Sequence, residues 1–125
     1  MLAYLAAHSE LLPGDHEFNV FTVIEPFSPY ATSFAKAVSM TDFMRDQAEQ
    51  VLGPVRSFAQ QQGWNVQTDY VPGSAVQAIV EKAESLKPDL IIMGTRGRSA
   101  LGTLVLGSVA NGVLGNCKIP VLLIR

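Results

Sequence analysis

The chain is short of the residues that most chemistry requires. Its one cysteine, Cys117, rules out an internal disulfide, and its place beside an apolar strand suits a buried, inert thiol. The two histidines, His8 and His16, flank the first turn, far in sequence from Ser108 and Cys117. No Ser/His/Asp set is evident, and solvated loop histidines are expected. There is no H-x-x-x-H, no cysteine pair and no dense carboxylate cluster, which argues against a transition-metal site. Asp42, Asp46 and Glu49 share one helix face and read as ordinary charged surface. No apolar run approaches the length of a membrane span, and no basic segment leads into an apolar leader at the N-terminus. The net charge of -2 leaves no footprint for nucleic acid or an anionic membrane surface. A cytoplasmic protein that is not an enzyme is the expectation, with any bound phosphate held by local groups.

What is present is a series of apolar segments with alternating period. The 125 residues suffice for one domain with a single core. Met1 to Ala7 reads as the end of a helix, stopped before the Pro13-Gly14 turn. Phe18 to Ile24 is a β-branched and aromatic run that predicts a buried strand. From Thr41, taken as N-cap, a long helix is expected, with Phe43, Met44, Ala48, Val51, Leu52, Val55, Phe58 and Ala59 at helical spacing. Gly63 closes it, and Pro54 predicts a kink or bend near Gly53. Trp64, Val66, Thr68 and Tyr70 alternate with polar residues, as in a strand with one face less buried, plausibly an edge. After the Pro72-Gly73 turn, Ser74 and Gln77 form a capping box for a helix with core residues Val76, Ile79, Val80 and Ala83, ended by Lys87-Pro88. Leu90 to Met93 and Val121 to Ile124 are short apolar strands suited to the middle of a parallel sheet. Strands separated by helices imply right-handed βαβ units, hence an α/β fold with an open parallel sheet covered by helices on both faces. Ligands of such sheets bind beyond the C-terminal ends of the strands.

Gly94 stands directly after one such strand. The run Met93-Gly94-Thr95-Arg96-Gly97 is followed, nine residues later, by Gly107-Ser108-Val109. Gly94 and Gly97 can adopt positive φ and carry no Cβ, so the loop backbone can turn its N–H groups toward an oxyanion. Gly107 and Ser108 open a helix whose first N–H groups lack partners and whose dipole favours negative charge. Ser99 and Ser108 supply hydroxyls, of which Ser108 is favoured by its position at the helix start; simple N-capping, compatible with a nearby phosphate, is the plainer role open to it. Arg96 and Arg98 either add charge against phosphate oxygens or point to water. The spacing is neither that of a P-loop nor G-x-G-x-x-G.

This G-x2-G-x9-G-[ST] pattern resembles the signature of the universal stress protein family. The resemblance continues through Ser108-Val109-Ala110-Asn111 and Ile119-Pro120-Val121-Leu122-Leu123-Ile124-Arg125. It implies ATP as ligand, with Mg²⁺ able to arrive with the nucleotide, and a role in stress response through conformational or partner effects. By matching residues, Met93 and Gly94 would lie beside the ribose or triphosphate, and Gly97, Gly107, Ser108 and Val109 would hold the phosphates. Val23 matches the position that meets adenine through its backbone. The resemblance also implies a homodimer through the C-terminal strand; a dimeric module without nucleotide and a slow ATP hydrolase are the alternatives. The family's strand order is 3-2-1-4-5, and its first strand, with a nucleotide-contacting Asp, has no counterpart here. Met1-Leu2-Ala3-Tyr4 looks like the middle of the helix after it. A single domain over residues 1–125, truncated at its N-terminus, is therefore expected. The start is too far downstream, the segment has been cut away, or a variant fills the gap another way; Met1 opens no cap and no strand, which favours the first. The strands at Phe18 to Ile24 and Leu90 to Met93 should then either pair directly or leave a gap.

Overall fold

The β-branched and aromatic run ahead of residue 25 forms strand β1 (Glu17–Ile24), preceded by a short helix α1 (Leu2–Ala7) and a single 3₁₀ turn at Ser9–Leu11. The computed structural model describes residues 1–25, 37–95 and 106–125. After β1 come helix α2 (Ala37–Gln62), strand β2 (Asn65–Pro72), helix α3 (Ala75–Leu86), strand β3 (Ile91–Gly94), helix α4 (Ser108–Asn116) and strand β4 (Val121–Ile124).

Several local signals act as their chemistry requires, and others give way to context. Gly63 takes φ +70° after α2, donating its N–H to the Gln60 carbonyl at 3.2 Å, while Trp64 N–H reaches Ala59 at 2.9 Å. This is a left-handed helix stop that glycine adopts without steric cost. Thr41 is not the N-cap of α2. The helix begins at Ala37, because no Gly or Pro from Ala37 to Met40 interrupts its backbone bonding. Pro54 lies inside the same helix, which continues past it to Gln62. Ser74 does cap α3, but its side chain makes no capping bond, and Gln77 instead donates from Nε2 to Glu81 Oε1 at 3.0 Å. Lys87 closes α3 in the left-handed region at φ 48°.

The core of the first half forms where Met44, Ala48 and Leu52, spaced by one helical turn, meet β1 and β2. Ile24, Ala48 and Leu52 are buried, with Val20, Met44 and Tyr70 packed around them. Full burial of one such leucine stabilises by about 1.5–3 kcal/mol. Phe43 and Val51, at the same predicted period, are exposed and contribute little to that core. Trp64 sits 5.1 Å from the Phe18 ring and 5.7 Å, edge-on, from Phe58, tying the end of α2 to the start of β1. On the other side of β2, Lys82 Nζ donates to Asp69 Oδ2 at 2.9 Å. That bond, more than the opposing effect of burial, holds the Asp69 carboxyl below its ordinary range. A depressed carboxylate stabilises the fold above its unfolded pKa and loses that contribution as pH falls through the folded value, so this pair acts above about pH 4.

The strands form two separate parallel pairs. β1 pairs with β2 from Glu17↔Asn65 to Ile24↔Pro72, and β3 pairs with β4 from Ile91↔Val121 to Gly94↔Ile124. Helix α3 leaves β2, touches β1 and packs on α4, so the crossover carries the chain past β1 toward β3. Among the described residues, nothing bridges β1 to β3. Of the two expected outcomes, the structure has the gap.

Which backbone groups line that gap follows from three hydrogen bonds. Ile24 carbonyl accepts from Gly73 at 3.0 Å, so Ile24 turns its peptide groups toward β2, as do Thr22, Val20 and Phe18 by alternation. Asn19, Phe21 and Val23 therefore face the other way. Ile91 N–H donates to Pro120 at 2.9 Å and Thr95 N–H to Ile124 at 3.0 Å. Ile92 and Gly94 accordingly face away from β4. Phe21, Val23, Ile92 and Met93 are only half-buried, where the middle of a closed five-stranded sheet would be covered.

Candidate functional site

The C-terminal end of β3 is joined to the start of α4 through one residue. Thr95 N–H donates to the Ile124 carbonyl at 3.0 Å, and Thr95 carbonyl accepts from Gly107 N–H at 2.7 Å. Thr95 thus clasps the ends of β3 and β4 to the N-terminus of α4. The sequence singled out the glycines on either side and missed this residue, since a threonine after a strand carries no local signal of a distant partner.

Gly107 is the N-cap of α4, extended at φ -59° and ψ 154°, and Ser108 is the first helical residue. The plainer role of N-cap thus falls to Gly107, and Ser108 stands one residue inside the helix. Its side chain is exposed at the helix mouth, and Val109 beside it is half-buried. Gly107 carbonyl accepts the first helical bond, from Asn111 at 3.0 Å, while Asn111 Nδ2 donates to Leu106 carbonyl at 3.4 Å. The N–H groups of Ser108, Val109 and Ala110 have no acceptor within the helix, the arrangement by which a helix N-terminus meets an anion.

Gly94 is the last residue of β3, paired with Ile124, and its backbone is extended. The ladder to β4 holds it in strand geometry rather than in the positive φ open to a glycine, and the peptide edge it turns away from β4 carries no Cβ. Met93 precedes it, half-buried, with its own peptide groups turned to β4. Val23 is the penultimate residue of β1, and its peptide groups face the gap. Among the described residues, the peptide groups of Val23 and Gly94 have no strand partner on the two inner edges, and both stand near the C-terminal ends of their strands. Gly97, with Arg96 and Arg98, lies outside the described residues.

Helix α4 is aimed at this point by its contact with α3. A Cβ built on Gly112 would lie 2.5 Å from one Val76 methyl and 2.8 Å from the other. Only glycine permits that approach, because the branched valine is stiff at χ1 and its methyls cannot swing far from the helix backbone. Gly112→Ala is expected to destabilise the fold by about 1–2 kcal/mol, the overpacking outweighing alanine's better helix propensity. Chemical denaturation checks this, and an equal or raised midpoint would show that the contact is slack. The sequence hid Gly112 among several small residues of the same helix.

The other end of the sheet has a different character. A cavity of about 490 Å³ opens there between Leu5, Leu12, His16, Phe18 and Trp64. It lies at the N-terminal ends of β1 and β2, opposite the end where parallel sheets bind ligands. His16 Nε2 there is shared between the carbonyls of Leu12 at 3.0 Å and Pro13 at 3.1 Å. His8 donates from Nδ1 to Tyr4 carbonyl at 2.9 Å and stacks on that tyrosine. Both imidazoles serve the local backbone. Cys117 is half-buried just beyond α4. Among the described residues no group of three His, Cys, Asp or Glu side chains could hold a metal ion, and no helix is long and apolar enough to cross a membrane.

Comparison with known proteins matches residues 4–125 to the model of the universal stress protein family. Universal stress protein MJ0531 of Methanocaldococcus jannaschii is 35% identical over 86 residues, 69% of this chain and 51% of that protein. The chain spans about half the length of the curated relatives it matches first. The solved structure of hypothetical protein MJ0577 superposes on 98% of this chain and 83% of its own, with a TM-score of 0.74 at 23% identity. A universal stress protein from Archaeoglobus fulgidus, solved in complex with dAMP, covers 99% of this chain, and 84% of its own chain is matched, with a TM-score of 0.61 at 20% identity.

Proposed function

The chain belongs to the universal stress protein family, and from that premise we propose that it binds ATP at the C-terminal ends of β1 and β3. The observation that carries this reading is the 2.7 Å bond from Gly107 to Thr95, which sets the N-terminus of α4 beside the end of β3 at Gly94. Gly107, Ser108 and Val109 hold the phosphates, Met93 and Gly94 flank the ribose or triphosphate, and Val23 meets adenine with its peptide groups. Dipole and free N–H groups favour an anion without any lysine. The dAMP bound by the Archaeoglobus protein supports an adenine nucleotide as the ligand class. Mg²⁺ accompanies the triphosphate. Both histidines are engaged with backbone at the far end of the sheet, which supports a sensing or partner-directed role over rapid turnover. Isothermal titration of the purified chain with Mg-ATP tests the proposal; saturable binding to one site is expected, and no heat at millimolar nucleotide would overturn it.

A homodimer through β4 belongs to the same reading. Leu122 and Ile124 turn their peptide groups to β3, so Val121 and Leu123 present theirs to the outer edge. An open apolar edge invites pairing with a second copy. Leu123→Pro removes an outward N–H without deleting a β3–β4 bond, and proline is tolerated at such positions. Light scattering is expected to report a dimer for the parent and a monomer for the variant. A parent that is monomeric at micromolar concentration excludes the pairing.

A further inference from the structure

The cavity at the N-terminal ends of β1 and β2 has no role in the nucleotide reading. Its volume of about 490 Å³ lies within the range of about 300–1,000 Å³ common to small-molecule sites. The walls come from α1, the turn after it and the starts of β1 and β2, and no residue of β3 or β4 lines it. It is therefore separate from the gap between the strand pairs. We propose that this cavity is a binding site for a small organic cation, an ammonium group carried on a flat apolar body.

The chemistry of the ligand follows from the walls. Leu5, Leu12, Phe18 and Trp64 supply the apolar part. The Phe18 and Trp64 rings stand 5.1 Å apart, tilted by 35°, and such π surfaces attract both a flat ring and a cation. Asp15 and Glu17 are exposed at the mouth, and among the described residues no lysine or arginine lines the cavity. An anion would meet only like charge there, whereas an ammonium gains charge-assisted hydrogen bonds. Glu17 is held in place, its Oε1 accepting from Gln67 Nε2 at 3.0 Å. The other walls are also set before a ligand arrives. His16 Nε2 is fixed by the carbonyls of Leu12 and Pro13, which in the neutral ring leaves Nδ1 as an acceptor. Trp64 is anchored by its backbone bond to Ala59 and by the edge-on ring of Phe58. Little ordering remains to oppose binding.

Trp64 is the only tryptophan of the chain, so its fluorescence reports on this site alone. The probe is benzylamine, with benzyl alcohol as its uncharged counterpart and benzoate as its anionic one. Benzylamine is expected to shift the Trp64 emission saturably and to bind at least about tenfold more tightly than benzyl alcohol, with benzoate silent. Asp15→Asn combined with Glu17→Gln should remove that preference and leave the thermal melt unchanged, since both side chains are exposed. Amide NMR shifts caused by benzylamine should fall on residues 12–18 and 63–65 and persist in saturating Mg-ATP, which separates this site from the nucleotide site. Equal binding of amine and alcohol to the parent chain would overturn the proposal, as would an amine preference that survives the double substitution. So would a benzylamine response that stays linear to millimolar concentration, which is collisional quenching, or one that Mg-ATP abolishes, which belongs to the other end of the sheet.

Discussion

Gly107→Asp should abolish ATP binding while leaving the protein folded. Gly107 is the N-cap of α4, at φ -59°, a backbone conformation open to any residue. Aspartate is among the best N-caps, because its carboxylate accepts from the same first-turn N–H groups that a phosphate would use. The substitution thus fills the cradle from within. The ligand loses charge-assisted bonds worth about 1.5–3 kcal/mol each and meets a like charge at short range. At about 1.4 kcal/mol per decade, affinity should fall at least about a hundredfold. Because the new cap satisfies the helix, the melting temperature should hold or rise slightly. This combination separates loss of a site from loss of structure. Titration of parent and variant with Mg-ATP, beside a thermal melt of each, is the measurement; equal affinities would remove phosphate from the mouth of α4.

The second large effect concerns the divided sheet. Appending an engineered apolar strand ahead of Met1, joined by enough residues to lie between β1 and β3, should raise the melting temperature by about 10 °C. The peptide groups of Asn19, Phe21, Val23, Ile92 and Gly94, which face away from β2 and β4, would each gain a backbone partner, a net gain of about 0.5–1.5 kcal/mol per bond. The half-exposed side chains of Phe21, Ile92 and Met93 would lose further contact with water. For a chain of this size each kcal/mol moves the midpoint by several degrees. Calorimetry decides the matter. An appended strand that leaves the midpoint unchanged would mean that β1 and β3 close on each other in solution, which the exchange rates of Phe21 and Ile92 would report independently.

Much of this architecture was legible residue by residue. The alternation of Val66, Thr68 and Tyr70 with polar neighbours became the half-buried and exposed faces of β2, and Gly63 and Lys87 stopped their helices where expected. Helix starts were less legible. At the beginning of α2 an uninterrupted backbone outweighs a capping preference worth only about 1 kcal/mol, and Ser74 caps α3 without using its side chain. Of the candidate site, Gly94, Gly107, Ser108 and Val109 could be singled out because their signal is a spacing within one short stretch of chain. Thr95 and Gly112 were missed because each matters through a partner elsewhere, Gly107 for one and Val76 for the other.

By itself, then, the amino-acid order determined the strands, the helices and the succession of a glycine after β3 and a glycine-capped helix before β4. Such features depend on side-chain period and backbone freedom within a few positions. Only the tertiary structure decided that β1 and β3 stand apart, that Val23 and Gly94 turn their free peptide groups into one gap, and that α4 is clasped to the strand ends by Thr95. The physical reason is that a parallel ladder joins residues far apart in the chain, as Ile24 joins Pro72. Which neighbour a strand faces is set by the crossovers, while its own sequence records only whether its two faces are dry.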